Sequence, residues 1–253
     1  MAVRQMIMIN SRKLLRGSAM TFSLLARDEK TGALVAAAAT GSLCVGGWVI
    51  RGALGAGLVA SQGTAPSTLW RDEVLARLQG GESAEAAVKA VTRADPKRGH
   101  RQLSALGLRG AGAGFTGADS VSVADTLAWE DGVCAGNMLS NANVLPAMRE
   151  AWQAEEVDPA ERALTVLRSA ERAGGDARGL KSAAMLVLRP DAPPLDLRVD
   201  LSETPLDDLG NLLTAARSSP YADWLGVVPV AEDPHRGPET DPHPEQAILN
   251  GLT

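Results

Sequence analysis

From Thr21 onward the chain is written in blocks: a strand pair, further short strands, two helices, more strands, two more helices, and strands again before a last helix. That ordering constrains the fold more than any motif does. Single strands alternating with single helices wind into a parallel, doubly wound sheet. Blocks of strands followed by blocks of helices instead require sheets packed face to face with helices over their outer surfaces. The expected class is α+β, a four-layer αββα sandwich of two packed, mostly antiparallel sheets flanked by helices.

The first block is a hairpin. Residues 21–27 and 33–40 are apolar runs joined by Asp28 to Gly32, a polar turn ending in glycine. With the turn centred near Lys30, Thr21 faces Ala39 or Thr40, so the first residue of one strand meets the last of the other. Residues 45–50 and 54–61 are short, apolar and glycine-rich, and are expected to be strands. Leu69, Val74, Leu75 and Leu78 recur at helical spacing up to Gly80-Gly81, and Ser83 opens a second helix ended by Asp95-Pro96. Strands are expected at 101–109, 114–116, 133–139, 182–188 and 196–201, and helices at 143–153, 159–172 and 206–217. The domain therefore spans 21–219. Residues 1–20 form a removable or non-native extension, and 220–253, with Pro234, Pro238, Pro242 and Pro244 among charges, a loosely structured or surface-bound tail.

Several function classes are disfavoured. A net charge of −5 with scattered arginines argues against nucleic acid as the partner. No run approaches the ~18 apolar residues of a membrane span, and residues 1–20 make a poor signal peptide. Two cysteines in apolar stretches, Cys44 and Cys134, suit buried free thiols and a cytoplasmic location. Gly55–Ala60 and Gly112–Gly117 imitate a dinucleotide fingerprint, but neither opens a helix, so close sheet packing is the better explanation. His100, His235 and His243 are too few and too badly spaced for a metal centre or an obvious triad, and no Gly-x-Ser-x-Gly elbow is present. No cofactor is expected.

Hydrolysis without histidine needs another base. A Thr, Ser or Cys at the chain terminus supplies one, because its own α-amine takes the proton. The unperturbed pKa of that amine, about 7.7–8.0, leaves a usable neutral fraction near physiological pH. Met20-Thr21 offers a route, since an initiator methionine is commonly removed before a small residue.

A resemblance strengthens this start. The segments Thr21–Asp28, Ala60–Gln62, Ala94–Pro96 with Arg98 and Arg101–Leu103, Phe115–Gly117, Gly136–Leu139, Ala173–Gly179, Ser182–Ala184 and Asp196–Asp200 follow one another as in the bacterial domain-of-unknown-function family 1028, which the chain resembles over about residues 21–217. That family is grouped with the N-terminal nucleophile (Ntn) hydrolases. The resemblance implies an αββα sandwich with Thr21 at a strand end in the central crevice. It supplies no substrate. The chain departs from the family at Thr40-Gly41, where many members carry Ser-Lys.

Residue types then suggest supporting roles, each with a plainer alternative. Asn137 can donate to an oxyanion or satisfy a sheet-edge turn. Gln62, after Ser61, can position substrate or the amine, or bond its own loop. Asp176 can hold the terminal ammonium and Arg178 a substrate carboxylate, or the two can pair to shape a glycine loop. Thr40 can tune Thr21 or serve as an ordinary strand residue. The reading is an amidohydrolase cutting a small amide or peptide-like C–N bond through an acyl-enzyme on Thr21. The alternatives are a catalytically silent small-metabolite-binding protein, perhaps a homodimer, and, more weakly, an interaction module displayed by the tail.

Overall fold

Strand β1 (Thr21–Arg27) and strand β2 (Leu34–Thr40) pair antiparallel with Thr21 opposite Thr40 and Arg27 opposite Leu34, one of the two registers expected. The turn between them is set by Asp28, whose carboxylate accepts from the Thr31 N–H at 2.9 Å and hydroxyl at 2.6 Å, and by Gly32 at φ 69°. The computed structural model describes residues 21–154, 158–175 and 179–238. After the hairpin come α1 (Val45–Trp48), β3 (Ile50–Ala53), β4 (Gly57–Gln62), α2 (Thr68–Gln79), α3 (Ala84–Arg93), β5 (Gln102–Gly107), β6 (Ala113–Thr116), β7 (Asp125–Trp129) and β8 (Gly132–Asn137). Then follow α4 (Val144–Ala154), α5 (Pro159–Arg172), β9 (Ser182–Arg189), β10 (Ala192–Val199), α6 (Pro205–Ala216) and α7 (Tyr221–Leu225).

These strands make a six-stranded sheet, β10-β9-β2-β1-β8-β7, and a four-stranded sheet, β3-β4-β5-β6, with antiparallel pairing throughout. Strand alternation sorts the core into three layers. Phe22, Leu24, Val35, Ala37 and Met185 face α4, α5 and α6, and Val59, Leu103 and Ala105 face α2 and α3. Leu25, Ala36, Leu58, Leu106 and Val133 fill the space between the sheets. The result is the expected αββα sandwich. Ser67 and Ser83 cap α2 and α3 by accepting from the Trp70 and Ala86 N–H groups, and Asp158 caps α5 ahead of Pro159.

Two local expectations are corrected. Residues 45–48 are a short helix rather than a strand, and the strand begins only at Ile50. The cause is tertiary: the Ser182 hydroxyl accepts from the Val45 N–H at 3.1 Å, and Gly46 packs where a Cβ would lie 2.8 Å from Ala184 Cβ. Strand β7 was not anticipated, because its residues are half-exposed on a sheet edge and lack a clear apolar pattern. The glycines at 55 and 57 turn the chain tightly into β4, and a Cβ on Gly57 would lie 2.2 Å from the Leu106 carbonyl oxygen. This is sheet packing, as expected of that stretch.

Beyond Ser219, the described residues fold back on the body. The Glu232 N–H donates to the Pro190 carbonyl at 2.9 Å, and the Arg236 guanidinium donates to the carbonyls of Leu225 and Val228 at 2.9 and 2.7 Å. Among the described residues, no helix is long and apolar enough to cross a membrane.

Candidate functional site

One end of the inter-sheet layer is polar. Counting by twos from the apolar middle, the inward positions end in Thr21 on β1, Thr40 on β2, Asn137 on β8 and Ser182 on β9, facing Gln62 on β4 and Gln102 on β5. Thr21 lies opposite Thr40 on one side and Asn137 on the other. The Thr40 carbonyl is turned away toward β9, where it accepts from the Lys181 N–H at 2.8 Å. Thr21 and Thr40 therefore meet as the close, side-chain-facing kind of antiparallel pair, and their hydroxyl oxygens are 3.0 Å apart. Thr40 Oγ1 also accepts from the Ser42 N–H at 3.3 Å.

Beneath this pair lies an amide network whose orientation follows from one residue. Gln102 Nε2 lies 2.9 Å from each of the Asp125 and Gly136 carbonyl oxygens and from Thr116 Oγ1. Backbone carbonyls only accept, so that edge of Gln102 is its NH2 group and Oε1 points the other way. Oε1 likewise only accepts, so both neighbours turn their nitrogens to it: Gln62 Nε2 at 2.7 Å and Asn137 Nδ2 at 3.2 Å. Gln62 Nε2 also reaches the Thr21 carbonyl at 3.4 Å. The consequence is that Gln62 Oε1 and Asn137 Oδ1 are buried without a partner, as are the Ser23 and Ser104 hydroxyls one row deeper.

Thr21, Thr40 and Gln62 form the polar side of a pocket of about 310 Å³. Its apolar side comes from Leu43, Val45, Trp48 and Val49 around α1, with Pro66 and Met138. Gly63, at φ 115°, starts the loop over one rim, and a Cβ there would meet the His100 carbonyl at 2.9 Å. Arg101 fixes that loop by donating to the Ala65 carbonyl while pairing with Asp95 at 2.7 Å. The Arg101 guanidinium and the Lys97 N–H hold the Asp95 carboxyl below its ordinary range. A larger cavity of about 560 Å³ lies at the opposite end of β1, around Arg27, Trp129 and Trp152, away from Thr21.

Of the residues chosen from sequence, Thr21, Thr40 and Gln62 come together at the pocket, and Asn137 lies beside them with one amide N–H committed to Gln102. Ser61 does not join them. It sits on the opposite face of β4, buried toward α2, and its hydroxyl accepts from the Ser67 N–H at 3.3 Å. Asp176 and Arg178 lie outside the described residues. Gly41 follows Thr40, and no ionisable side chain is found among the described pocket-lining residues. Lys181, the adjacent cation, pairs with Glu203 at 2.6 Å.

Cys134 is fully buried, and burial pushes its thiol far above the ordinary range, which disqualifies it as a nucleophile. His100 sits 3.8 Å from Asp119 on the surface, and among the described residues no group of three or more His, Cys, Asp or Glu is placed to hold a metal ion. Sequence reasoning assigned no role to Gln102 or Trp48. The available signal for Gln102 was a second glutamine at an inward strand position directly opposite Gln62.

No curated protein matches the chain. The crystal structure of a protein from Silicibacter pomeroyi, itself assigned to DUF1028, superposes with a TM-score of 0.83 at 48% identity, covering 87% of this chain and 100% of that one. Eukaryotic HslV from Trypanosoma brucei aligns over 66% of this chain and 99% of its own at 10% identity, with a TM-score of 0.41, a likeness too slight to bear on fold or activity. The family of unknown function DUF1028 matches residues 21–209, beginning at the threonine that opens β1. The chain belongs to the DUF1028 family.

Proposed function

We propose that this protein is an N-terminal nucleophile amidohydrolase whose working chain begins at Thr21, residues 1–20 being absent from the mature form. The observation that carries the proposal is the Thr21 hydroxyl at the strand end, 3.0 Å from the Thr40 hydroxyl and facing the pocket. The family match beginning at that same residue supports it.

In this mechanism the freed α-amine takes the Thr21 hydroxyl proton as Oγ1 attacks the carbonyl carbon of a small amide. The developing oxyanion is met by the amide hydrogen of Asn137 that Gln102 does not use, together with a backbone N–H. Collapse breaks the C–N bond, the ammonium returns its proton to the departing nitrogen, and water then releases the acid from the threonine ester. Thr40 positions the nucleophile, and Gln62 holds the Thr21 backbone beside the amine.

Two measurements test this. The intact mass of protein expressed from its own gene is expected to correspond to a chain starting at Thr21. Retention of residues 1–20 would keep that nitrogen in a peptide bond, where it is no base, and would favour a metabolite-binding role. Thr21→Ala should abolish release of amine or ammonia from a panel of neutral amides, by about 10³-fold or more, while leaving the fold intact. Unchanged turnover would remove the mechanism.

A further inference from the structure

The chemistry of the pocket walls also bears on what enters. We infer that the Thr21 pocket takes an uncharged amide carrying one compact apolar group on its acyl side, rather than an amide of an amino acid with free charges. The inference rests on the site proposed above, but it concerns binding and is separable from turnover.

Three observations carry it. First, none of the described side chains lining the pocket is ionisable, and the cations near it are engaged elsewhere: Lys181 with Glu203, Arg198 with Asp196 and Arg101 with Asp95. A charged substituent entering would lose hydration and meet no counter-ion among these described side chains, and the Thr21 amine must be neutral to act as the base, so the cost is several kcal/mol. Second, the wall opposite the hydroxyls is apolar, and it keeps surface in reserve. Leu43 is 56% exposed and Trp48 53% exposed at the pocket mouth, so an apolar substituent gains by covering them.

Third, this wall is anchored in spite of its exposure. Arg71, 4% exposed on α2, donates to the carbonyls of Gly47 and Trp48 at 2.8 and 2.7 Å, while Ser182 holds the start of α1 through the Val45 N–H. The indole is thus presented on a fixed turn, as a preformed site requires. About 310 Å³ is the small end of ligand pockets, on the order of ten water volumes, which suits one ring or one branched chain beside an amide.

The test is equilibrium titration of the mature protein, the form proposed to begin at Thr21, followed by calorimetry and tryptophan fluorescence. The probes are phenylacetamide and 4-methylpentanamide as neutral apolar amides, against L-glutamine and L-asparagine as zwitterionic ones. The neutral pair is expected to bind at least about tenfold more tightly. Trp48→Ala should weaken the neutral amides several-fold. Leu43→Arg, a change at an exposed residue that leaves the core untouched, should shift preference toward N-phenylacetylglycine, whose carboxylate the new guanidinium can meet. Equal or tighter binding of glutamine or asparagine overturns the inference, and so does failure of both neutral amides to bind. Binding of the neutral amides without amine or ammonia release would instead sink the hydrolase reading and leave this one standing.

Discussion

Gln102 offers the sharpest test of how the site is built. It is fully buried, and Gln102→Leu keeps most of its volume while removing every polar contact. Five groups then lose a partner: the Asp125 and Gly136 carbonyls, the Thr116 hydroxyl, which keeps the Thr126 hydroxyl at 3.0 Å, and the amides of Gln62 and Asn137. Asp125 is on an exposed strand and can turn to water, so its loss is cheap. Gly136, Gln62 and Asn137 are buried, and each stranded group costs about 1–3 kcal/mol. Partial re-pairing between the two amides offsets some of this, leaving an expected loss of about 3–5 kcal/mol in urea or guanidinium unfolding at unchanged m-value. Gln102→Glu gives a signed control. The introduced carboxylate would face two carbonyl oxygens, so its pKa in the fold is raised above the unfolded value. Its destabilisation should therefore be relieved as pH falls toward the unfolded carboxyl range and be greatest at neutral pH. A loss below about 1 kcal/mol for Gln102→Leu, or no acid relief for Gln102→Glu, would refute the claim that this residue sets the direction of the amides.

Two further outcomes follow from named contacts. Asp95 is held below its ordinary carboxyl range by Arg101 first and the Lys97 N–H second, so its stabilisation is present above the unfolded value of about 3.9 and lost as pH falls through the lower folded one. In thermal unfolding across acid pH, Asp95→Asn should flatten that part of the profile, and an unaltered slope would contradict the assignment. At the far end of β1, the Arg27 guanidinium donates to the carbonyls of Gly107, Gly110 and Glu130 at 2.7–2.8 Å and to Asp131 at 2.5 Å. Arg27→Met should cost about 2–3 kcal/mol in chemical denaturation without changing amide binding at Thr21. A change in that affinity would show the two ends to be coupled.

Much of this was legible from sequence where local chemistry decides structure. The polar turn from Asp28 to Gly32, centred near Lys30, fixed the pairing of Thr21 with Thr40 to within one residue. The serine caps and apolar spacing placed α2 and α3. What escaped was decided by distant partners. Residues 45–48 have the composition of a strand and become a helix because Ser182, 137 positions away, takes the Val45 N–H. Trp48 becomes a pocket wall only because Arg71 clamps that turn. Ser61 beside Gln62 looked like a second site residue, yet strand alternation sends adjacent side chains to opposite faces, and only one of them can see Thr21.

The inter-sheet layer explains why the site lies where it does. In its middle, Leu25, Leu58, Leu106 and Val133 exclude water and hold the sheets together. Had Thr21, Asn137, Gln62 and Gln102 been apolar as well, the sandwich would close along its whole length and leave no donor or acceptor at the strand ends. The chain instead places amides there and tolerates unpaired oxygens on Gln62 and Asn137. Buried unpaired acceptors are costly, and a packing role alone would be met more cheaply by leucine. In the mechanism proposed above, freeing the Thr21 amine adds a donor at this strand end that the peptide nitrogen of the unprocessed chain, with its single N–H, does not offer.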